Sequence, residues 1–235
     1  MDVVVKLLIA HVVADFLLQW PAMLKSKAYY KFASPYLYLH AAIHLILSFV
    51  LVRDIDLWPV LLLIGITHGV IDGLKLTFTN ESNECCLFFI DQLLHVVIIF
   101  IAVALWAEFP LLSIEQHPYF YPHVLFLIFI TFPSSIIIQK FFLRWTLPAP
   151  VHESLGGAGV YIGYIERLLI YLAVVTQHWG LVGFLLAAKS LFRLGEVKKV
   201  EDRKYAEYIL LGTLLSMTIA LASGMSFLLV TGQSL

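Results

Sequence analysis

Apolar residues fill eight blocks along this chain, and charged or turn-forming residues gather between them. The blocks cover residues 2–20, 36–52, 58–78, 86–107, 122–142, 157–177, 180–194 and 206–230. Most approach the twenty or so residues that an α-helix needs to cross a hydrocarbon core of about 30 Å. The pattern therefore predicts an all-α, polytopic transmembrane bundle of about eight helices. The block at 180–194 is short for a full span and fits a tilted or re-entrant helix. Pro133-Ser134-Ser135 predicts a kink inside the fifth block, which otherwise reads as lipid-facing or as a spacer. The first block lacks a basic leader and a small-residue cleavage site, so it reads as a retained helix.

Composition supports this reading. The chain is 61% hydrophobic and 13% charged, against roughly 25% charged in a soluble domain. A formal net charge of −1 offers nothing to a nucleic acid, and the expected partner is the lipid bilayer. Cys85 and Cys86 are adjacent and supply no disulfide framework.

The polar positions inside the apolar blocks carry the chemistry. Four dyads recur in the first hundred residues: His11-x3-Asp15, His40-x3-His44, His68-x3-Asp72 and Asp91-x3-His95. A spacing of i to i+4 puts both side chains on one helix face. Ionisable groups are costly in a membrane and mark functional sites by default.

The basic residues between blocks predict how each helix runs. Lys25, Lys27, Lys31, Lys75, Lys140, Arg144, Lys198, Lys199, Arg203 and Lys204 follow the odd-numbered blocks, whereas Arg53 alone follows an even one. The positive-inside rule then places the odd loops in the cytoplasm and both termini outside. Counted from those cytoplasmic ends, Asp15, His40, Asp72 and Asp91 lie about 6–9 Å deep, and His11, His44, His68 and His95 about 12–15 Å deep. Two stacked layers are expected, in two related hairpins, residues 1–107 forming a four-helix bundle with these layers buried in it.

Imidazole and carboxylate together suit a divalent transition metal, zinc above all, with iron or manganese as alternatives. All eight dyad residues are candidate ligands, some of them supporting the ligands from behind. Gln19, Thr67 and Gln92 lie near enough along their helices to join them. Asp15, Asp72 and Asp91 are the candidate catalytic carboxylates.

Residues 108–235 hold a second cluster. Gly156-Gly157-x-Gly159 opens the sixth helix, followed by Gly163, Glu166 and Arg167; Lys189 and Arg193 share a face of the seventh, and Glu207 begins the eighth. Glu166 is expected to pair with Lys189, and Arg167 or Arg193 with Glu207. Glu166, Arg167, Lys189 and Arg193 are also candidates for holding the charged end of a substrate. Lys25, Lys27 and Lys31, beside Tyr29 and Tyr30, read as a basic-aromatic interfacial segment.

The stretches His11-Val-Val-Ala-Asp15-Phe-Leu-Leu-Gln19, His68-Gly-Val-Ile-Asp72-Gly-Leu-Lys75 and Asp91-Gln-Leu-Leu-His95 resemble a family of prokaryotic integral membrane proteins, domain of unknown function 3307. Gly159-x3-Gly163-x2-Glu166-Arg167, Lys189-Ser190-x2-Arg193 and Glu207-Tyr208-x3-Gly212-Thr213 are similar to that family's C-terminal half. The resemblance implies a multi-pass protein of the bacterial inner membrane and no particular activity. The His-x3-Asp dyads also resemble membrane-bound metal-dependent hydrolases of the zinc phospholipase-like kind. The expected function is hydrolysis of a lipid-linked or phosphorylated substrate near the cytoplasmic face, with an anionic lipid as a candidate partner. The alternative is a metal-ion or proton transporter using the same bundle.

Overall fold

The computed structural model of the chain describes residues 2–106, 119–143, 157–194 and 200–233, with side chains placed for 3–106, 119–143, 157–189 and 207–233. Arg193, Gly156 and the loop residues Arg144, Lys198, Lys199, Arg203 and Lys204 lie outside those described side chains. Every described element is helical: α1 (Asp2–Phe16), α2 (Pro21–Tyr30), α3 (Pro35–Val52), α4 (Trp58–Phe78), α5 (Glu84–Trp106), α6 (Phe120–Ile130), α7 (Phe132–Phe142), α8 (Ala158–Val175), α9 (Trp179–Leu194) and α10 (Val200–Val230). The contacts divide the chain into two compact units, Met1–Leu125 and Phe126–Leu235.

Among the described residues, six helical stretches are long and apolar enough to cross a membrane, or seven if one bent pair is a single span. The difference from eight lies in the first and seventh blocks. The first helix stops at Phe16, and the chain turns by 84° before resuming as α2. Pro21 at the start of α2 suits this break, because proline has no N–H to miss in a first turn. The apolar part of α9, Trp179–Lys189, is shorter than a full span. In the fifth block, the chain breaks at Thr131 between α6 and α7; Pro133 has no N–H for the Phe129 carbonyl, which accepts from Ser134 Oγ instead.

In the first unit, α1 packs on α3, α3 on α4, α4 on α5, and α5 on α1. These four helices close into a ring. Each turns one stripe of residues inward. Val4, Leu7, Val60, Leu61, Ile64, Ile99, Ala102 and Val103 fill one end of the interior as a continuous apolar core. The stripes then continue at helical spacing into the dyads. Val60, Ile64, His68 and Asp72 are all buried at intervals of four along α4. His40, His44, Ser48 and Val52 do the same in the opposite direction along α3. The outward faces carry Ile46, Ile66, Leu93 and Leu105, all exposed. Such faces would drive a water-soluble protein to aggregate, and they suit contact with lipid.

The second unit is built on α8 and α10, which pack along each other, with α9 against α8 and α7 against α10. Ile170, Tyr171, Val174, Met217, Ala220 and Phe227 form its core. Gly224 permits the close approach: a Cβ there would lie 2.8 Å from Val174 Cβ.

Candidate metal centre

The stripes of α1, α3, α4 and α5 bring all eight dyad residues into one cluster. The four deeper histidines touch: ring centroids are 5.2 Å apart for His11–His95, 5.8 Å for His11–His44, 4.3 Å for His44–His68 and 4.1 Å for His68–His95. His40 lies beside them, its Nε2 2.9 Å from His68 Nε2. Asp15 Oδ1 is 3.2 Å from His40 Nε2 and 3.4 Å from His68 Nε2. His95 Nε2 is 3.3 Å from Asp91 Oδ1 and 3.9 Å from Asp72 Oδ1. Seven of the eight are buried, and Asp15 is nearly so with 5% of its side chain exposed.

The carboxylates share one arrangement. One oxygen of each is held by a polar side chain, and the other is turned towards histidine. Gln92 donates to Asp15 Oδ2 at 3.0 Å, Lys27 to Asp72 Oδ2 at 2.6 Å, and Lys75 to Asp91 Oδ2 at 2.6 Å. Gln92 also reaches Asp91 Oδ2 at 3.2 Å, and Lys27 donates to Gln19 Oε1 at 3.1 Å. Gln19 Nε2 is 3.1 Å from His40 Nε2. Gln19 and Gln92 thus do join the cluster. Thr67 does not: its hydroxyl donates to Leu63 O and Ile64 O of its own helix.

Lys27 and Lys75 have another place than the basic loops suggest. Lys27 is buried on α2, 4% exposed, because the bend after α1 swings that helix back under the bundle. Phe32, in the short 3-10 turn after α2, seats against α4 where Gly73 leaves room. Lys75 has a readable signal, since His68, Asp72 and Lys75 at i, i+4 and i+7 share a face. Nothing in the local pattern distinguishes Lys27 from exposed Lys25.

Whether these residues suit a metal can be judged from their unpaired atoms. Among the described residues, the buried side-chain atoms without a hydrogen-bond partner are His11 Nδ1 and Nε2, Asp15 Oδ1, His40 Nδ1, His44 Nδ1 and Nε2, Asp91 Oδ1 and His95 Nε2. Every one belongs to a dyad. Unsatisfied buried polar groups are rare and costly, and their concentration at the dyads suits the donor set of a metal ion. Four overlapping groups have ligand atoms mutually close enough for one ion: His11, His44 and His68; Asp15, His40 and His68; His68, Asp72 and His95; Asp15, Asp91 and His95. The residues fit a metal ion.

Residues 3–127 match the model of a family described as protein of unknown function, DUF3307. The chain belongs to that family. The DUF3307 match takes in all four dyads, Lys27 and Lys75, and ends before the glycine-rich motif of the second unit. No curated protein and no solved structure matches the chain.

Beyond the DUF3307 match, Glu166 and Lys189 form the expected ion pair. Arg167 does not pair with Glu207. It donates to Ile130 O, Thr131 O, Ser135 Oγ and Ser216 Oγ. At the break between α6 and α7 the guanidinium takes the carbonyls of Ile130 and Thr131, the second of which also accepts from Ser135 N–H. The fifth block is therefore part of this polar cluster, more than a lipid-facing spacer.

Proposed function

We propose that the chain is a zinc-dependent hydrolase of the bacterial inner membrane, acting near the cytoplasmic face on a lipid-linked or phosphorylated substrate. One observation carries the metal assignment. Asp15 Oδ1, His40 Nε2 and His68 Nε2 form a triangle with edges of 3.2, 3.4 and 2.9 Å. Zinc bonds of about 2.0–2.2 Å at tetrahedral angles set ligand atoms about 3.3–3.5 Å apart. His11, His44, Asp72, Asp91 and His95 border this triangle and offer ligands for a second ion.

When bound, zinc supplies Lewis acidity and a water that ionises near neutral pH. The chain's own groups do the rest. Gln92 and the two lysines fix the carboxylates, so that Asp15, Asp72 and Asp91 present one oxygen each to the reacting centre. Asp91 Oδ1, buried and without a hydrogen bond, is placed to accept a proton. Lys27 and Lys75 offset the charge of Asp72 and Asp91, so that the cluster carries three carboxylates with only one left without an ammonium partner.

Metal analysis of purified protein is the test. About one or two zinc equivalents per chain are expected, lost in His68→Ala. Protein with no stoichiometric transition metal, before or after soaking, overturns the proposal. Zinc-loaded protein that takes up radiolabelled zinc into proteoliposomes, and cleaves no phospholipid ester, replaces hydrolysis by transport.

A further inference from the structure

The second unit holds a cleft of about 600 Å³ between α7, α8 and α10, with Lys189 of α9 at its side. We propose that this cleft is a separate binding site for a phosphate-class oxyanion, with Arg167 as its central cation. The cleft lies wholly within the second unit, so the proposal stands apart from the metal centre.

Charge is the first observation. The described lining contains two cations, Arg167 and Lys189, and one carboxylate, Glu166. Glu166 is committed to Lys189. Arg167 is 3% exposed and has no carboxylate partner; its acceptors are all neutral. A buried charge inside an apolar protein is normally paired. The lining thus carries a surplus of one positive charge.

Donor balance is the second. A guanidinium has five N–H groups, and the four bonds of Arg167 leave one at Nη1. Ser135 and Ser216 each accept from Arg167, and neither hydroxyl donates to another described residue. Gln139 and Tyr208 also line the cleft, and neither has a side-chain hydrogen bond among the described residues. Such a collection of donors around a fixed cation is complementary to an anion bearing several acceptor oxygens.

Shape is the third. Gly159 leaves open space, since a Cβ there would meet nothing within 4 Å. At Gly163 a Cβ would lie 3.1 Å from Arg167 Nη1, so the glycine gives the guanidinium room. Gly159 and Gly163 thus keep the cleft open, whereas Gly157 answers a backbone need, its φ of 80° lying in the left-handed region.

Free phosphate and a lipid head group offer the same chemistry, and one experiment separates them. Full-length protein in dodecyl maltoside is titrated with radiolabelled inorganic phosphate and, separately, with dihexanoyl phosphatidic acid. Wild type is expected to bind at least one of the two. Binding is expected to weaken about tenfold or more in Arg167→Gln, which removes charged hydrogen bonds. Because Arg167→Gln also unfastens the α6–α7 break, Gly159→Leu is the second variant. It fills the cleft without touching those bonds and should abolish binding, while Gly180→Leu, outside the cleft, should not. Binding of phosphatidic acid alone assigns the site to a head group, and binding of both assigns it to the phosphate itself. Wild type that binds neither, or a Gly159→Leu variant that binds as wild type does, overturns the proposal.

Discussion

Replacing Lys27 by methionine keeps the length and the apolar stem of the side chain but removes the ammonium from Asp72. Lys27 Nζ lies 2.6 Å from Asp72 Oδ2, and both side chains are only 5% exposed. Removing one partner of a buried pair costs about 3–5 kcal/mol, since the other charge is left uncompensated. His40 Nε2, 3.7 Å from the same oxygen, offers partial relief, so about 2–3 kcal/mol is expected here. The assay is denaturant unfolding of the detergent-solubilised protein with a chelator present. Lys25→Met is the control: Lys25 is on the same helix but exposed, and its loss should cost no more than about 0.5 kcal/mol. Adding zinc should narrow the gap, because a bound cation neutralises Asp72 in place of the ammonium. If Lys27→Met matches Lys25→Met under chelation, the docking of α2 into the centre is wrong.

Three further outcomes are expected. In Gly73→Ala the new Cβ would lie 2.2 Å from Phe32 Cε1, so the ring must move by roughly 1.3 Å or more to reach normal contact. Protease cleavage within residues 21–33 should accelerate, and Phe32→Ala should restore protection in the double variant. In the second unit, Gly224→Ala sets a Cβ 2.8 Å from Val174 and should cost about 1–3 kcal/mol in the same unfolding assay; Gly183→Ala, which meets nothing, should not. Maleimide should label Cys86 in native protein and leave Cys85 unmodified until unfolding, since the first is exposed and the second buried.

The helical dyads were legible because their period is local. An i, i+4 pair fixes a face within one helix, and the basic loops order the helices by direction. Those two facts put His11, His44, His68 and His95 at one level before any contact is known, and the ring contacts place them together. Lys75 was legible in principle, one turn beyond Asp72. Lys27 was not, because its burial depends on an 84° turn after Phe16. Leu17 and Leu18 are apolar and continue the first block without a break signal, while Trp20-Pro21 reads equally as the end of a span. Arg167 misled for a related reason. Charge pairing offers Glu207 to Arg167 or Arg193, but Arg167 takes the carbonyls of Ile130 and Thr131; Pro133-Ser134-Ser135 marks a kink there, yet no side-chain pattern says which carbonyls it turns towards the guanidinium.

The shared carboxylates also bear on how the protein is assembled. Three aspartates buried with no cation would oppose each other and resist transfer into the bilayer. Lys27 and Lys75 travel with the chain and neutralise two of them through Asp72 and Asp91. The bundle thus carries its own counter-ions during biogenesis. Two of the three buried carboxylates are charge-balanced by the chain itself, independently of any metal.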